Sequence, residues 1–505
     1  MKTHYNFLST GKIIEKRVQE GFFTLTSTLA VLCMALLLIS GCGSSSSSGS
    51  GASETGDVVI GLTDADGDFL TYTVDVVSLT LTKANGTVVE TLPLSTTIDF
   101  AQYTEMTEFF TAATIPSGVY THASMQLDYS NADIQVEVNG ESVSTEIQDR
   151  NGNPVTMLDV TVKLDNANKL LIVPGVPAHL TLDFDLEASN RVDTLVTPPV
   201  VTIDPFLVAS VNPEQSKTHR LRGLLKSVDI DNETFQVFIR PFRIRQENKN
   251  FGKITVATTS TTLYEIDGQN YEAGNGLEIL SRQPAKTPVI IVGDLKLNSG
   301  SLHRFEAKEV YAGTSVPWSN YDVVTGNVIK REVNTLTVRG MAILKENGGA
   351  AFNNNIIVEL APETKVTCQA TVCGLADIDD ISIGQKVTVF GSLSSRQLGS
   401  LALDATTGLV RMLVTTIRGD VTLAQSGYLV LNLQSINHRN IELFDFTGTG
   451  TISNKDADPT NYEIDTGALN LVQIDPYDTV DVKGFVSPFG SAPEDFDALT
   501  VIEAP

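Results

Sequence analysis

Hydrophobic and polar residues alternate along most of the chain after residue 55. From Leu180 to Glu187 the alternation is strict, which predicts a strand with four apolar side chains on one face and a solvated acidic face opposite. The stretch from Ile134 to Val138 alternates in the same way and ends at Asn139-Gly140, a dipeptide suited to a tight hairpin turn. Asn85-Gly86 follows the apolar positions of residues 72–81 and predicts a second such turn. The pattern therefore predicts antiparallel β-structure.

One segment reads differently. Asp99 to Thr111 is the only stretch that we interpret as a helix, and a short one. Residues 56–210 are thus predicted to form an antiparallel β-sandwich with one peripheral helical turn.

Downstream of residue 218 the sequence repeats. Gly293, Gly391 and Gly484 each end a short strand pattern, and an alanine stands 14 residues after each of them, at Ala307, Ala405 and Ala498. Earlier glycines open each unit, at Gly223, Gly326 and Gly419, and apolar strand residues follow at Phe235, Leu336 and Leu429. A period of about 100 residues is typical of tandem small domains rather than of a solenoid. The glycines are predicted to mark bulges or sharp bends.

Five or six short strands fit into each repeat, enough for a compact barrel. We therefore predict an all-β chain, with an N-terminal antiparallel β-sandwich followed by three tandem small β-barrel-like domains. The predicted segments are a signal peptide (1–41), a Ser/Gly-rich tether (42–55), the sandwich (56–210) and barrels at 219–315, 321–413 and 414–505.

The N-terminus carries an export signal. Lys2, Lys12, Lys16 and Arg17 precede an apolar run from Phe22 to Ile39, which is close to the minimum length of a membrane-spanning helix. Ile39-Ser40-Gly41-Cys42 then matches the cleavage pattern of a bacterial lipoprotein signal, so we expect cleavage and lipidation at Cys42. The alternative is a retained transmembrane anchor. The abrupt change to Gly43 and five serines favours cleavage.

Lipidation places the mature chain at the cell envelope. Acyl chains on Cys42 would be its attachment to the membrane, and residues 44–55 are too polar to fold and would serve as a tether. Gly43 is not the acidic residue associated with retention at the inner membrane. The sequence thus predicts an exported protein anchored at the outer membrane, facing either the periplasm or the surface.

The net charge and the cysteines of the chain limit the kinds of partner and site that we expect. The formal net charge is −25, which repels phosphate backbones and argues against nucleic-acid binding. Acidity also suits the solubility of an exported protein or association with cations. In an oxidising compartment, Cys368 and Cys373 are predicted to form a short-range disulfide. A metal site or a redox pair is the alternative, but further ligands and the Cys-x-x-Cys spacing are both missing from the sequence.

Two stretches are candidate binding sites. Asp64, Asp66 and Asp68 alternate around Gly67 and can supply oxygen ligands to Ca²⁺; an acidic turn between strands is the competing interpretation. Trp318 is the single tryptophan of the chain, and with Tyr321 it can stack on sugar rings or anchor a partner. Packing between neighbouring domains is the alternative for this pair.

Two stretches also resemble uncharacterised families. Residues 56–65 with Asp68, together with Ile115-Pro116-Ser117-Gly118-Val119-Tyr120, resemble a bacterial lipoprotein family known as domain of unknown function 4382. The repeats resemble domain of unknown function 5666 through the Val-x-Val-x-Gly strand and the alanine that follows. Neither resemblance implies a reaction; both imply β-rich modules of the cell envelope.

The sequence holds no His-Glu-x-x-His, Gly-x-Ser-x-Gly or phosphate-loop motif. We therefore expect a lipid-anchored envelope protein with a non-catalytic binding, adhesion or scaffolding role, whose partner is a polysaccharide or an envelope protein. The alternatives are a calcium-dependent carbohydrate-binding or accessory module and, behind it, a hydrolase with an unrecognised site.

Overall fold

The computed structural model describes residues 54–64, 69–103, 106–138, 141–164, 169–211, 218–240, 249–297, 303–317, 320–343, 350–371, 373, 376–395, 401–472 and 474–503. Strands dominate these residues, and the predicted all-β class is confirmed. Within the described residues, no helix combines the length and apolar character needed to span a membrane. Cys42, the tether through residue 53, Asp66, Asp68 and Trp318 lie outside the described residues.

Besides a 3-10 turn at Phe100–Gln102, the described part of the N-terminal domain contains fourteen strands and one α-helical turn. They are β1 (Thr55–Thr63), β2 (Phe69–Lys83), β3 (Val88–Glu90), β4 (Thr96–Asp99), β5 (Met106–Pro116), β6 (Gly118–Val138), β7 (Glu141–Ser144), β8 (Glu146–Gln148), β9 (Met157–Lys163), β10 (Leu170–Ile172), β11 (Ala178–Asp183), α1 (Leu186–Ser189), β12 (Asn190–Asp193), β13 (Val200–Ile203) and β14 (Val208–Ser210).

Two main sheets make up this domain. One has seven strands around the long β2–β6 pair, and β6 and β7 pair on either side of the predicted hairpin dipeptide, with Val138 opposite Glu141. The other runs β14-β11-β1-β5. Side chains from both sheets, such as Tyr72, Val74, Ile60 and Leu180, are fully buried in one cluster. The turn predicted at Asn85-Gly86 is confirmed, since β2 and β3 pair on either side of it and Gly86 has φ +87°.

The helix predicted for Asp99 to Thr111 is wrong. Among the described residues of this segment, only Phe100–Gln102 is helical, as a single 3-10 turn, and β5 begins at Met106. Thr107 to Thr111 are buried on both faces of β5. A strand covered on both faces loses its period-two alternation, which is why the sequence pattern indicated a helix instead.

The predicted strand over Leu180 to Glu187 is shorter and more buried than expected. It ends at Asp183, and α1 starts at Leu186. The face opposite Leu180 and Leu182 is not solvated there, because His179 and Thr181 are 3% and 7% exposed. This second face lies against the first barrel, as the histidine contacts described below show.

After residue 217 the described residues form nineteen strands and one α-helix. The first repeat holds β15 (Thr218–Asp229), β16 (Thr234–Ile239), β17 (Lys253–Ala257), β18 (Leu263–Ile266), β19 (Gln269–Glu272), α2 (Ala273–Ser281), β20 (Pro288–Leu297) and β21 (His303–Ala312). The second holds β22 (Asp322–Glu332), β23 (Thr335–Ile343), β24 (Ala350–Glu359), β25 (Lys365–Cys368), β26 (Lys386–Ser395) and β27 (Leu401–Leu413). The third holds β28 (Thr415–Gln425), β29 (Tyr428–Ile436), β30 (Arg439–Asn440), β31 (Tyr462–Asp465), β32 (Thr479–Val486) and β33 (Phe496–Glu503).

Each repeat closes five of its strands into a ring of pairings. In the second repeat β22 pairs with β23 and β26, β23 with β24, and β27 closes the ring by pairing antiparallel with β26 and parallel with β24. The third repeat follows the same order with β28, β29, β31, β32 and β33, and the first does so with β15, β16, β17, β20 and β21. This strand order, with the third and fifth strands parallel, is that of the five-stranded Greek-key barrel called the OB-fold.

The repeated glycines have a common structural cause. A Cβ added to Gly293, Gly391 or Gly484 would lie 2.0 to 2.3 Å from a carbonyl oxygen of the partner strand. Gly293 and Gly484 lie directly opposite Ala307 and Ala498 at a shift of register, and a shift also spans Gly391. The interval of 14 residues between glycine and alanine therefore marks one β-bulge in each barrel.

The first barrel is joined to the N-terminal domain through one continuous sheet. β15 pairs parallel with β5, placing Arg220 opposite Glu108, and buried side chains of both segments form one hydrophobic cluster. The sequence did not indicate this, since residues 212–218 have the composition of a polar linker.

The three barrels also contact one another. Arg411 of the second barrel forms a two-pronged ion pair with Glu265 of the first, with both N–O distances at 2.7 Å. Between the second and third barrels, the buried Gln385 of the second accepts the N–H of Val486 at 3.0 Å and donates to Thr415 Oγ1 at 3.1 Å. The sequence left open whether the barrels pack together, and these buried contacts show that they do.

Candidate ligand-binding cleft

A cavity of about 1030 Å³ lies between the N-terminal domain and the first barrel. One wall comes from β1, β5, β11 and the turn after β3, the other from β15, β16 and β17. A mixed apolar and polar cavity of this size is typical of ligand sites in proteins.

The barrel wall presents the outer face of its first three strands. Phe235, Val237 and Ile239 of β16 point into the barrel core, so Gln236 and Phe238 point outward. Lys253 lies directly opposite Phe238, and Thr255 opposite Gln236. The second and third strands of an OB-fold present the surface on which oligosaccharides and oligonucleotides bind.

Two lysines stand beside the aromatic ring. Lys226 Nζ donates to Gln236 Oε1 at 2.7 Å and lies 5.8 Å from the centroid of the Phe238 ring. Loss of hydration lowers the pKa of Lys226, and the neighbouring ammonium of Lys253 lowers that pKa further. This wall thus carries positive charge in an acidic protein.

The opposite wall is acidic, but its carboxylates are engaged. Asp57 accepts a hydrogen bond from Thr114 Oγ1 at 2.6 Å. Glu90 accepts the backbone N–H groups of Leu79, Thr91 and Leu92 at 2.9 to 3.0 Å. These bonds hold both side chains against the sheet and fix the shape of the wall.

Phe109, Phe305 and His179 line the base of the cleft, and His219 packs against Phe109 and His179. The Phe109 ring centroid lies 4.9 Å from that of Phe305, 6.0 Å from that of His179 and 5.4 Å from that of His219. The two imidazoles lie 5.9 Å apart and are both buried. Packing of these rings joins the N-terminal domain to the barrel below the cavity.

Four described residues that the sequence singled out do not line this cleft: Asp64, Tyr321, Cys368 and Cys373. Asp64 is fully buried and accepts the N–H of Leu186 at 2.9 Å, so one carboxylate oxygen anchors the start of α1. Among the described residues, no three His, Cys, Asp or Glu side chains converge as a metal site would require. With Asp66 and Asp68 outside the described residues, calcium binding at this turn stays a prediction.

Tyr321 is half-buried and lies just before β22. Its predicted role with Trp318 also stays a prediction. Cys368 and Cys373 have their sulphur atoms at disulfide distance and their Cα atoms 5.6 Å apart, as the sequence predicts.

Lys226, Phe238 and Lys253 were not among the site residues predicted from the sequence. One signal was available, since Phe238 is an aromatic residue out of phase with the buried positions of β16. The lysines carried no signal, because only strand pairing brings them beside that ring.

The wall of the cleft that includes β1 and β5 lies in a segment that matches a known family. Residues 55–194 match the family model described as a domain of unknown function (DUF4382). The N-terminal domain is thus similar to this family over most of its length. No curated protein and no solved structure matches the chain. The matched residues supply one wall of the cleft, and the other wall lies beyond them.

Proposed function

We propose that the protein is a lipid-anchored, non-catalytic binding protein of the bacterial envelope, and that its cleft holds a polysaccharide chain. The observation that carries the proposal is the cavity of about 1030 Å³ over the outer face of β16 and β17. Phe238 offers an apolar ring against which a sugar can stack, and Lys226, Lys253 and Thr255 offer groups that can bond to its hydroxyls.

The net charge of the protein favours a neutral polysaccharide over a nucleic acid as the ligand. The protein has a formal net charge of −25, so a polyanion would be repelled as it approaches. The two lysines, in contrast, can donate hydrogen bonds to sugar hydroxyls without requiring a charged ligand.

Replacing Phe238 with alanine is expected to weaken glycan binding about tenfold, which corresponds to about 1.4 kcal/mol. The variant loses the stacking surface while the core residues of β16 remain. Lys253→Ala is expected to have a smaller effect in the same direction. The measurement is binding of the full chain, purified in detergent, to an array of neutral bacterial polysaccharides, followed by calorimetry on the best glycan.

Phe206→Ala is the matched control, because Phe206 is 51% exposed and does not line the cleft. Equal binding by the Phe238→Ala variant and the native chain would refute the proposed site. If no glycan binds, but the native chain captures an envelope protein that the Phe238→Ala variant does not, the cleft would still be the binding site. The proposal that its ligand is a polysaccharide would then be refuted.

Anchoring rests on the sequence of the leader. Cys42→Ala is expected to abolish labelling by radioactive palmitate in a bacterial host and to leave an uncleaved precursor, because the thiol accepts the lipid. Cys33→Ala is the control, since Cys33 lies inside the apolar run of the same leader. Labelling that persists in Cys42→Ala, or that is lost in Cys33→Ala, would contradict the assignment.

A further inference from the structure

Arg339 is a buried arginine with unpaired donors. It lies on β23 of the second barrel and is 3% exposed. Within the part of the chain that the structure describes, its Nε and Nη2 atoms have no hydrogen-bond partner. Buried polar groups are normally paired, so an unpaired guanidinium of this kind calls for an explanation.

The repeat places Arg339 on a binding face. A Cβ on Gly223 would meet the carbonyl oxygen of Phe238, and a Cβ on Gly326 would meet that of Arg339. Because Gly223 and Gly326 open their repeats at corresponding positions, Arg339 occupies in the second barrel the position that Phe238 occupies in the first. It therefore stands on the same outer strand face that forms the cleft wall in the first barrel.

A second arginine reaches this position from the third barrel. Asn327 lies directly opposite Arg339 across the β22–β23 pair. Arg439 Nε donates to Asn327 Oδ1 at 3.3 Å, and the Arg439 guanidinium lies 5.5 Å from the centroid of the Phe352 ring. Both arginines thus flank Asn327 at the junction of two barrels.

The positive charges of Arg339 and Arg439 repel each other. Burial lowers the pKa of Arg439, and the positive charge of Arg339 lowers that pKa further, while Glu137 at the end of β6 acts in the opposite direction. Asn437, two residues before Arg439, also holds a buried Nδ2 without a partner among the described residues. The site combines two like charges with unused N–H donors.

We propose that this junction binds an oxyanion group, such as a phosphate, sulfate or carboxylate, between Arg339 and Arg439. An anion would offset the repulsion between the guanidinium groups and accept hydrogen bonds from the unpaired Arg339 donors. Guanidinium groups bind such oxyanions with two parallel hydrogen bonds, which gives the site geometric selectivity over chloride. The site is separate from the cleft and does not depend on the function proposed for it.

Calorimetry on the full chain in detergent tests the site, with inorganic phosphate, sulfate and acetate at matched ionic strength against chloride. Glycerol 3-phosphate and glucuronate distinguish a phosphate-bearing lipid headgroup from an acidic sugar as the source. We expect saturable binding of at least one oxyanion and a loss of about tenfold or more in Arg439→Gln. Glu137→Gln is expected to tighten binding, because it removes a competing negative charge beside Arg439.

Arg304→Gln is the control, since Arg304 is an exposed arginine paired with Glu306 on the first barrel. Saturable binding that Arg304→Gln leaves unchanged supports the proposal. Failure of every oxyanion to bind at millimolar concentration would overturn it, as would native affinity in Arg439→Gln. Weaker binding in Glu137→Gln would also overturn it. Arg339→Gln is not required, so the test stands even if that variant fails to fold.

Discussion

Replacing Arg411 with methionine is expected to destabilise the protein by about 3–5 kcal/mol, because it leaves Glu265 as a buried charge without its partner. Arg411 and Glu265 are 7% and 3% exposed. Arg411 also donates to Ser315 O at 2.8 Å and lies 4.0 Å from the centroid of the Tyr311 ring. The measurement is the melting temperature of the full chain by calorimetry, which we expect to fall by roughly 10 °C for the barrels concerned.

A surface ion pair supplies the matched control. Arg282 and Glu278 are 65% and 55% exposed and lie four residues apart around α2. Arg282→Met is expected to cost less than about 1 kcal/mol, because solvent screens such pairs. If Arg411→Met were no more destabilising than Arg282→Met, the buried pair would not be what joins the first two barrels.

The double variant Arg411→Met with Glu265→Leu separates the cost of an unpaired buried carboxylate from the loss of the other hydrogen bonds that the pair makes. Removing both charges eliminates the uncompensated carboxylate, and replacement of buried pairs by apolar side chains is often neutral or stabilising. Thr367 Oγ1 would still lose its acceptor, Glu265 Oε2 at 2.9 Å. We therefore expect the double variant to recover most, but not all, of the stability lost in Arg411→Met.

Much of the barrel architecture could be predicted from the chain alone. The interval between Gly293 and Ala307 recurs because one bulge recurs, and the partner-strand carbonyl leaves no room for a side chain at the glycine. Local backbone geometry of this kind acts on a single residue type, so it leaves a periodic signature in the sequence.

Contacts between domains left no such signature. Glu265 and Arg411 are 146 residues apart, and nothing in the neighbourhood of either residue indicates a partner. The same holds for Phe238 and Asp57 on opposite walls of the cleft. Asp64 likewise has a role that its sequence pattern did not indicate, because it is buried and accepts the N–H of Leu186 at the start of α1.

A second large loss of stability is expected at the junction where β5 of the N-terminal domain pairs with β15 of the first barrel. Glu108 is 1% exposed and pairs with two arginines of β15, with Arg220 Nε and with Arg222 Nε, the latter at 3.1 Å. Glu108→Gln keeps the shape of the side chain but leaves two buried positive charges facing each other. We expect a loss of about 3–5 kcal/mol, measured by calorimetry, and faster amide hydrogen exchange at the paired residues of β5 and β15.

Asp204→Asn is the control for this junction, since Asp204 pairs with Arg150 at the surface with 49% and 72% of the side chains exposed. It is expected to change stability by less than about 1 kcal/mol. Because β5 and β15 fix one wall of the cleft against the other, Glu108→Gln is also expected to weaken ligand binding, although Glu108 does not line the cavity. Binding that stays native while exchange at β5 and β15 accelerates would show that the cleft does not depend on this ion pair.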